Sequence, residues 1–219
     1  VLSEGMNVLF TEGNLNNHIG VPLTLLRIRP EHDIAVIETG ANHPGEITLL
    51  SNIVQADFGL ITNVGRAHLE GFGSFEGVKQ TKGELYDDLY KRGKQIFLNT
   101  SDEDLVQMAI GRGFVLGKDA LPYIEGVVDA VTPFVEMKWR PANVQPWRTT
   151  TTNLVGSYNI ANLCAAVTIG LYFGIILEQI DHALSTYYPT NSRSELRVAG
   201  SNRLIIDAYN ANPSSMAAA

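Results

Sequence analysis

Short apolar runs that stop abruptly at polar residues, alternating with stretches of helical spacing, constrain this chain more than any other feature. NVLF at 7–10, IAVI at 34–37, FGLITNV at 58–64 and QIFL at 95–98 are each of strand length, and IAVI is the continuous apolar run that a strand buried on both faces requires. Between them lie helical patterns: LTLLRI at 23–28 closed by Pro30, GEITLLSNIVQ at 45–55 entered through Pro44, SFEGVKQTKGELYDDLY at 74–90 capped by Ser74, and 102–110. Within the second, Ile47, Leu50 and Val54 fall on one face; within the third, Phe75, Val78, Leu85 and Leu89 do. A further strand is predicted at 114–116. This alternation predicts an α/β fold with a doubly wound, mostly parallel sheet flanked by helices, whose ligands lie beyond the carboxyl ends of the strands.

The grammar changes between 123 and 154. FVEMKW and WRTTTTNLV, rich in Thr, Val and Trp, predict a small antiparallel β appendage. Helices are expected at 159–173 and 177–187, then a last strand, RLIID, at 203–207. The apolar run around Cys164 is too short to span a bilayer and reads as a core helix holding a buried thiol. A single cysteine makes no internal disulfide and fits the cytoplasm. With 45% hydrophobic and 18% charged residues over 219 positions, the chain can bury a substantial core. A formal charge of −7 disfavours nonspecific nucleic-acid binding. Gly5 would stop a helix whose body is absent, and Ser214 or Ser215 would cap one just beginning, so the chain reads as a piece of a longer protein.

The chemistry gathers from 34 to 85. Glu38 ends the first buried run, Asn63 and His68 follow the second, and Lys82 lies on the next helix, an arrangement that suits a metal and phosphate site. A carboxylate at a strand's end can hold Mg²⁺, which prefers oxygen ligands; the bland alternative is a cap or a solvated charge. His68 reads equally as a ligand or as a loop histidine, and Lys82 by spacing alone as a surface lysine. His43 and Glu46 imitate a metal pair, but Pro44 and Gly45 between them favour an ordinary helix start. Asn159 and Asn162 share a helix's first turn, where asparagine caps backbone and free N–H groups attract ligands. Arg193 and Asp207 read as ligand contacts or as surface charge and cap.

Taken together, TEGNLNNHIGVPLTLL, VIETGANHPGEI, TNVGRAHLEGFGSFEGVKQTKGEL, GSYNIANLCAA and IIDAYNANPSSM resemble the Mur ligase family, with GANHPGEI and AHLEGFGS closest to its D-alanyl-D-alanine-adding branch. The resemblance implies a central ATP-binding domain over 1–206, with 207–219 a hinge opening a C-terminal ligase domain. It implies ATP and Mg²⁺ as cofactors, and UDP-MurNAc-tripeptide and D-alanyl-D-alanine as the partners of the whole enzyme in the cytoplasm. Glu38, His68 and a carbamylated Lys82 would be the metal ligands, with Lys82 and His68 serving catalysis. Asn162 would contact adenine with Asn159 organising its turn, Arg193 would approach the ATP phosphates, and Asp207 the ribose. Asn16 and Asn17 would lie near the nucleotide-sugar substrate or the metal end of the cleft.

Two departures accompany the resemblance. The family's GxxxxGK[ST] phosphate loop would stand before Val1, so the piece alone is expected not to catalyse, and Tyr158 occupies a position where many members have histidine. The alternatives are another amide ligase of this fold, such as the diaminopimelate-adding enzyme or folylpolyglutamate synthase, a noncatalytic scaffold domain, or a zinc hydrolase built on Glu38, His43, Glu46 and His68.

Overall fold

The computed structural model describes residues 1–65, 72–141, 144–189, 195–200 and 202–206. The expected roles of His68, Arg193 and Asp207, the possible caps Ser214 and Ser215, and the hinge from 207 all lie outside the described residues. The chain divides into two compact units, Leu2–Pro122 and Tyr123–Ala219, the latter joined by Val1.

In the first unit, strand β1 (Val8–Phe10) pairs in parallel with β2 (Ile34–Val36), and β3 (Phe58–Gly59), β4 (Gln95–Leu98) and β5 (Ala120–Pro122) form a parallel sheet in that order. Helices α1 (Gly20–Leu25), α2 (Glu46–Val54), α3 (Phe75–Lys91) and α4 (Glu103–Ile110) alternate with them. Strands β1, β3 and β4 come from predicted apolar runs, and β2 does too, but the burial on both faces expected of it is not found: Ala35 and Val36 are exposed. The core gathers Ile61, Tyr86, Leu89, Ile96, Leu98, Leu105 and Phe114, so α3 and α4 bury one face each against the β3–β5 sheet. Two expected caps are present. Ser74 accepts from Gly77 N at 3.0 Å to begin α3, and Asp102 accepts from Leu105 N at 3.2 Å to begin α4.

Three local expectations are corrected. The helix expected at 23–28 forms earlier, at Gly20–Leu25, because Asn17 Oδ1 accepts from Ile19 N and Gly20 N and fixes the start upstream. The strand expected at 58–64 ends at Gly59, although Ile61 stays buried in the core. At 114–116 no strand forms: Phe114 is buried, but Val115 and Leu116 are exposed, and the parallel strand is Ala120–Pro122 instead. A turn through Gly117 at φ +79° separates them.

In the second unit, β6 (Glu125–Val131), β7 (Phe134–Arg140) and β8 (Arg148–Val155) make the expected antiparallel sheet. Helices α5 (Ile160–Tyr172) and α6 (Leu177–Thr186) follow, then the antiparallel pair β9 (Glu195–Ala199) and β10 (Asn202–Ile206). Val135, Met137 and Trp139 of β7 are fully buried, as are Val167 of α5 and Ile180 of α6. Cys164 is free and buried, as its apolar surroundings predict, and burial pushes its thiol up to about 11. Among the described residues, no helix is long and apolar enough to cross a membrane.

Candidate functional site

The first unit brings Glu38 and Asn16 together. Glu38 stands two residues beyond β2, at a strand's carboxyl end, and it is exposed. The loop after β1 holds it on both sides: Thr11 Oγ1 accepts from Glu38 N at 2.9 Å, and Asn16 Nδ2 donates to Glu38 Oε1 at 2.8 Å. Asn16 O also accepts from Gly40 N at 2.8 Å, so the two loops are laced by backbone as well as side chain. A Cβ added at Gly40 would stand 3.0 Å from Asn16 Nδ2, so the Asn16 amide would have to give way by a few tenths of an ångström. Asn17 spends its side-chain oxygen on the start of α1. Farther along, Arg27 of the turn after α1 pairs with Glu12 at 2.6 Å and braces the same loop.

Lys82 projects from α3 to the segment after β3, where its Nζ donates to Asn63 O at 2.6 Å. Burial lowers its pKa from the ordinary lysine value, with the charge of Asp102 acting in the opposite sense. Asn63 in turn caps its own turn, with Oδ1 accepting from Gly65 N at 3.2 Å. Glu38 and Lys82 are not joined by a hydrogen bond or ion pair; each stands near the carboxyl end of a parallel strand with its own partner, Asn16 Nδ2 for Glu38 and Asn63 O for Lys82.

The His43 and Glu46 pair is an ordinary helix start. Glu46 Oε2 accepts from Asn42 N at 2.7 Å and His43 N at 3.1 Å, and those backbone donors, Asn42 first, hold its carboxyl below the usual value. Among the described residues, no group of three or more His, Cys, Asp or Glu side chains gathers around a metal-sized space. Sequence reasoning missed Glu84, which lies on α3 two residues past Lys82. Glu84 Oε1 accepts from Gly45 N at 2.7 Å, and its Oε2 accepts from Thr48 N at 2.8 Å and Thr48 Oγ1 at 3.0 Å. The chain separations of 39 and 36 residues leave no local signal for this contact.

The second unit carries the two asparagines. Asn159 is buried in the turn before α5, where its Nδ2 donates to Val155 O at 3.0 Å, so it organises that turn. Asn162 lies exposed on the first turn of α5. Gly156 takes φ +95°, with the ring of Tyr158 so near that a Cβ there would be 2.4 Å from it.

Comparison with known proteins identifies the family. The family model described as the Mur ligase middle domain matches residues 1–170. The UDP-N-acetylmuramoyl-tripeptide--D-alanyl-D-alanine ligase of Escherichia coli is 37% identical over 229 residues, covering 100% of this chain and 49% of that protein. The crystal structure of MurF from Acinetobacter baumannii superposes with a TM-score of 0.86 at 31% identity, over 99% of this chain and 48% of that one. MurF ligase from Thermotoga maritima, solved in complex with ADP, shares the fold at a TM-score of 0.82 and 22% identity, over 99% of this chain and 50% of that one. The chain thus spans about half the length of the relatives it matches. With the family's middle-domain model matched over residues 1–170, the chain belongs to the Mur ligase family.

Proposed function

We propose that this domain is the ATP-binding centre of a ligase that joins D-alanyl-D-alanine to UDP-MurNAc-tripeptide, in peptidoglycan precursor synthesis in the cytoplasm. The observation that carries the reading is similarity along the whole of this chain to 49% of the Escherichia coli ligase of that name, at 37% identity. The domain's own residues suit the task. Glu38 offers an oxygen ligand to Mg²⁺, with Oε1 already oriented by Asn16 and the carboxylate exposed. Bound Mg²⁺ supplies positive charge that neutralises the ATP phosphates during phosphoryl transfer.

Lys82 suits carbamylation, because burial favours its neutral amine. Its Nζ would form an N–C bond to CO₂ and release a proton to water, leaving an anionic carbamate oxygen facing the metal instead of an ammonium. His68 would complete the metal ligands and serve catalysis with Lys82. In the second unit, exposed Asn162 would meet adenine while Asn159 holds the turn, and Arg193 and Asp207 would approach the phosphates and the ribose. Asn16 and Asn17 would lie near the nucleotide-sugar substrate or the metal end of the cleft.

The test is an amine panel. The longer protein carrying this domain is supplied with UDP-MurNAc-tripeptide, ATP, Mg²⁺ and one amine at a time, and phosphate release is measured. Release is expected with D-alanyl-D-alanine; release with diaminopimelate or glutamate in its place overturns the reading. The 219-residue chain alone is expected to show negligible ligation under the same conditions.

A further inference from the structure

We propose that Glu84 is a positioning residue that sets where Lys82 stands relative to Glu38. It rests on the reading of Glu38 and Lys82 as metal ligands given above. Helix α2 starts from Gly45, a cap that takes φ +87° and has no side chain with which to satisfy the helix's first N–H groups. Glu46 turns back to accept from Asn42 N and His43 N, ahead of the helix, and Gly45 N and Thr48 N find their acceptor elsewhere. Glu84 supplies the missing acceptors from another helix: one carboxylate takes both backbone donors and the Thr48 hydroxyl, at 2.7, 2.8 and 3.0 Å. An anion is well placed there, because the helix dipole leaves partial positive charge at the N-terminus of α2.

The consequence lies in what this contact links. The segment from Glu38 to Gly45 is fastened at its start by Thr11 and Asn16 and at its end by Glu46 and Glu84. Lys82 and Glu84 share α3, a helix of 17 residues, so they move together. Three hydrogen bonds to one carboxylate fix α3 along and around its axis against the start of α2. Lys82 Nζ is then delivered to Asn63 O, and the far end of the Glu38 segment is held by the same helix. Glu84 touches neither metal nor substrate in this account; it acts through α2 and α3.

The test uses the longer protein with Mn²⁺ alone as the binding probe, read by electron paramagnetic resonance, alongside the Mg²⁺ concentration for half-maximal activity and the melting temperature. Glu84→Ala is expected to weaken Mn²⁺ binding about tenfold and to raise the Mg²⁺ requirement by a similar factor, the range typical for a residue that orients a metal ligand. Glu84→Gln, which keeps an acceptor and loses the charge, is expected between Glu84→Ala and the parent. Unchanged Mn²⁺ affinity in Glu84→Ala, while Glu38→Gln abolishes it, reduces Glu84 to a helix cap and overturns the proposal. If Glu84→Ala does not fold, unchanged affinity in Glu84→Gln does the same. Unchanged affinity in Glu38→Gln and Lys82→Ala as well defeats the metal-site reading itself, and this proposal with it.

Discussion

Asn16 and Glu38 meet at 2.8 Å, amide nitrogen to carboxylate oxygen, across the ends of two adjacent parallel strands. The pair is exposed, so water replaces the lost donor when Asn16 is shortened. Asn16→Ala is therefore expected to cost the fold no more than about 1 kcal/mol, measured by urea denaturation of this chain. In the longer protein the same change is expected to raise the Mg²⁺ requirement about tenfold. A large stability loss with no change in that requirement would make the contact purely structural.

Lys82→Arg tests the carbamate. A guanidinium stays protonated, resists CO₂ and carries its charge in a broader planar head. Ligation by the longer protein is expected to fall on the order of 100-fold or more, at the upper end of what disturbing a metal's surroundings costs. The parent enzyme is expected to respond to added bicarbonate in CO₂-depleted buffer, and Lys82→Arg is expected not to. Parent activity indifferent to bicarbonate, with Lys82→Arg fully active, would remove the carbamate from the scheme.

Arg148, Asp181, Thr150 and Trp139 form one connected set in the second unit. Arg148 Nε donates to Asp181 Oδ2 at 2.8 Å, Thr150 Oγ1 donates to Asp181 Oδ1 at 2.5 Å, and Trp139 Nε1 donates to Thr150 Oγ1 at 2.9 Å. The set ties β7 and β8 to α6. Asp181→Ala leaves Arg148 with the longer 3.6 Å pairing to Glu178 and removes the acceptor of the buried Thr150 hydroxyl, and is expected to destabilise by about 2–3 kcal/mol. Asp181→Asn is expected to lose less, because one acceptor remains. Equal losses in chemical denaturation would contradict this ordering.

Cys164 and Tyr123 predict an alkaline weakness. Burial raises the thiol from its ordinary 9.0 to about 11 and the phenol from 10.0 to about 12, so the folded chain keeps protons that the unfolded chain releases. The stability this gives is fully present below pH 9 and is lost as pH rises from 9 through about 11 for Cys164. Its size is at most about 3 kcal/mol. Denaturation midpoints are expected to fall across that window, and less steeply in Cys164→Ala. A thiol reagent is expected to label native Cys164 slowly and the unfolded chain quickly.

What the sequence made legible follows from how local each cause is. β4 appears at its predicted bounds because Ile96, Phe97 and Leu98 are all buried in succession. The caps Ser74 and Asp102 act three residues along, within reach of simple pattern reading. Glu38 was legible for the same reason, as the polar residue that ends an apolar run. Phe114 misled because one buried aromatic, packed edge-on against Tyr86 and Tyr90, gave an apolar triplet the look of a strand. β6 was passed over since Glu125–Val131 is largely exposed and has little apolar contrast. Lys82 was ambiguous because what makes it unusual, burial and Asn63 O, comes from a segment 19 residues away.

The strict alternation along β7 has a last consequence. Val135, Met137 and Trp139 face inward while Glu136 and Lys138 stay partly wet, so a slip of one residue would exchange the two sets at every position. Misregistered pairing would expose an indole and place charges of both signs against aliphatic groups. The strand therefore has two settings and no intermediate between them, and the three-stranded sheet assembles against its neighbours in the one alignment that keeps its charges in water.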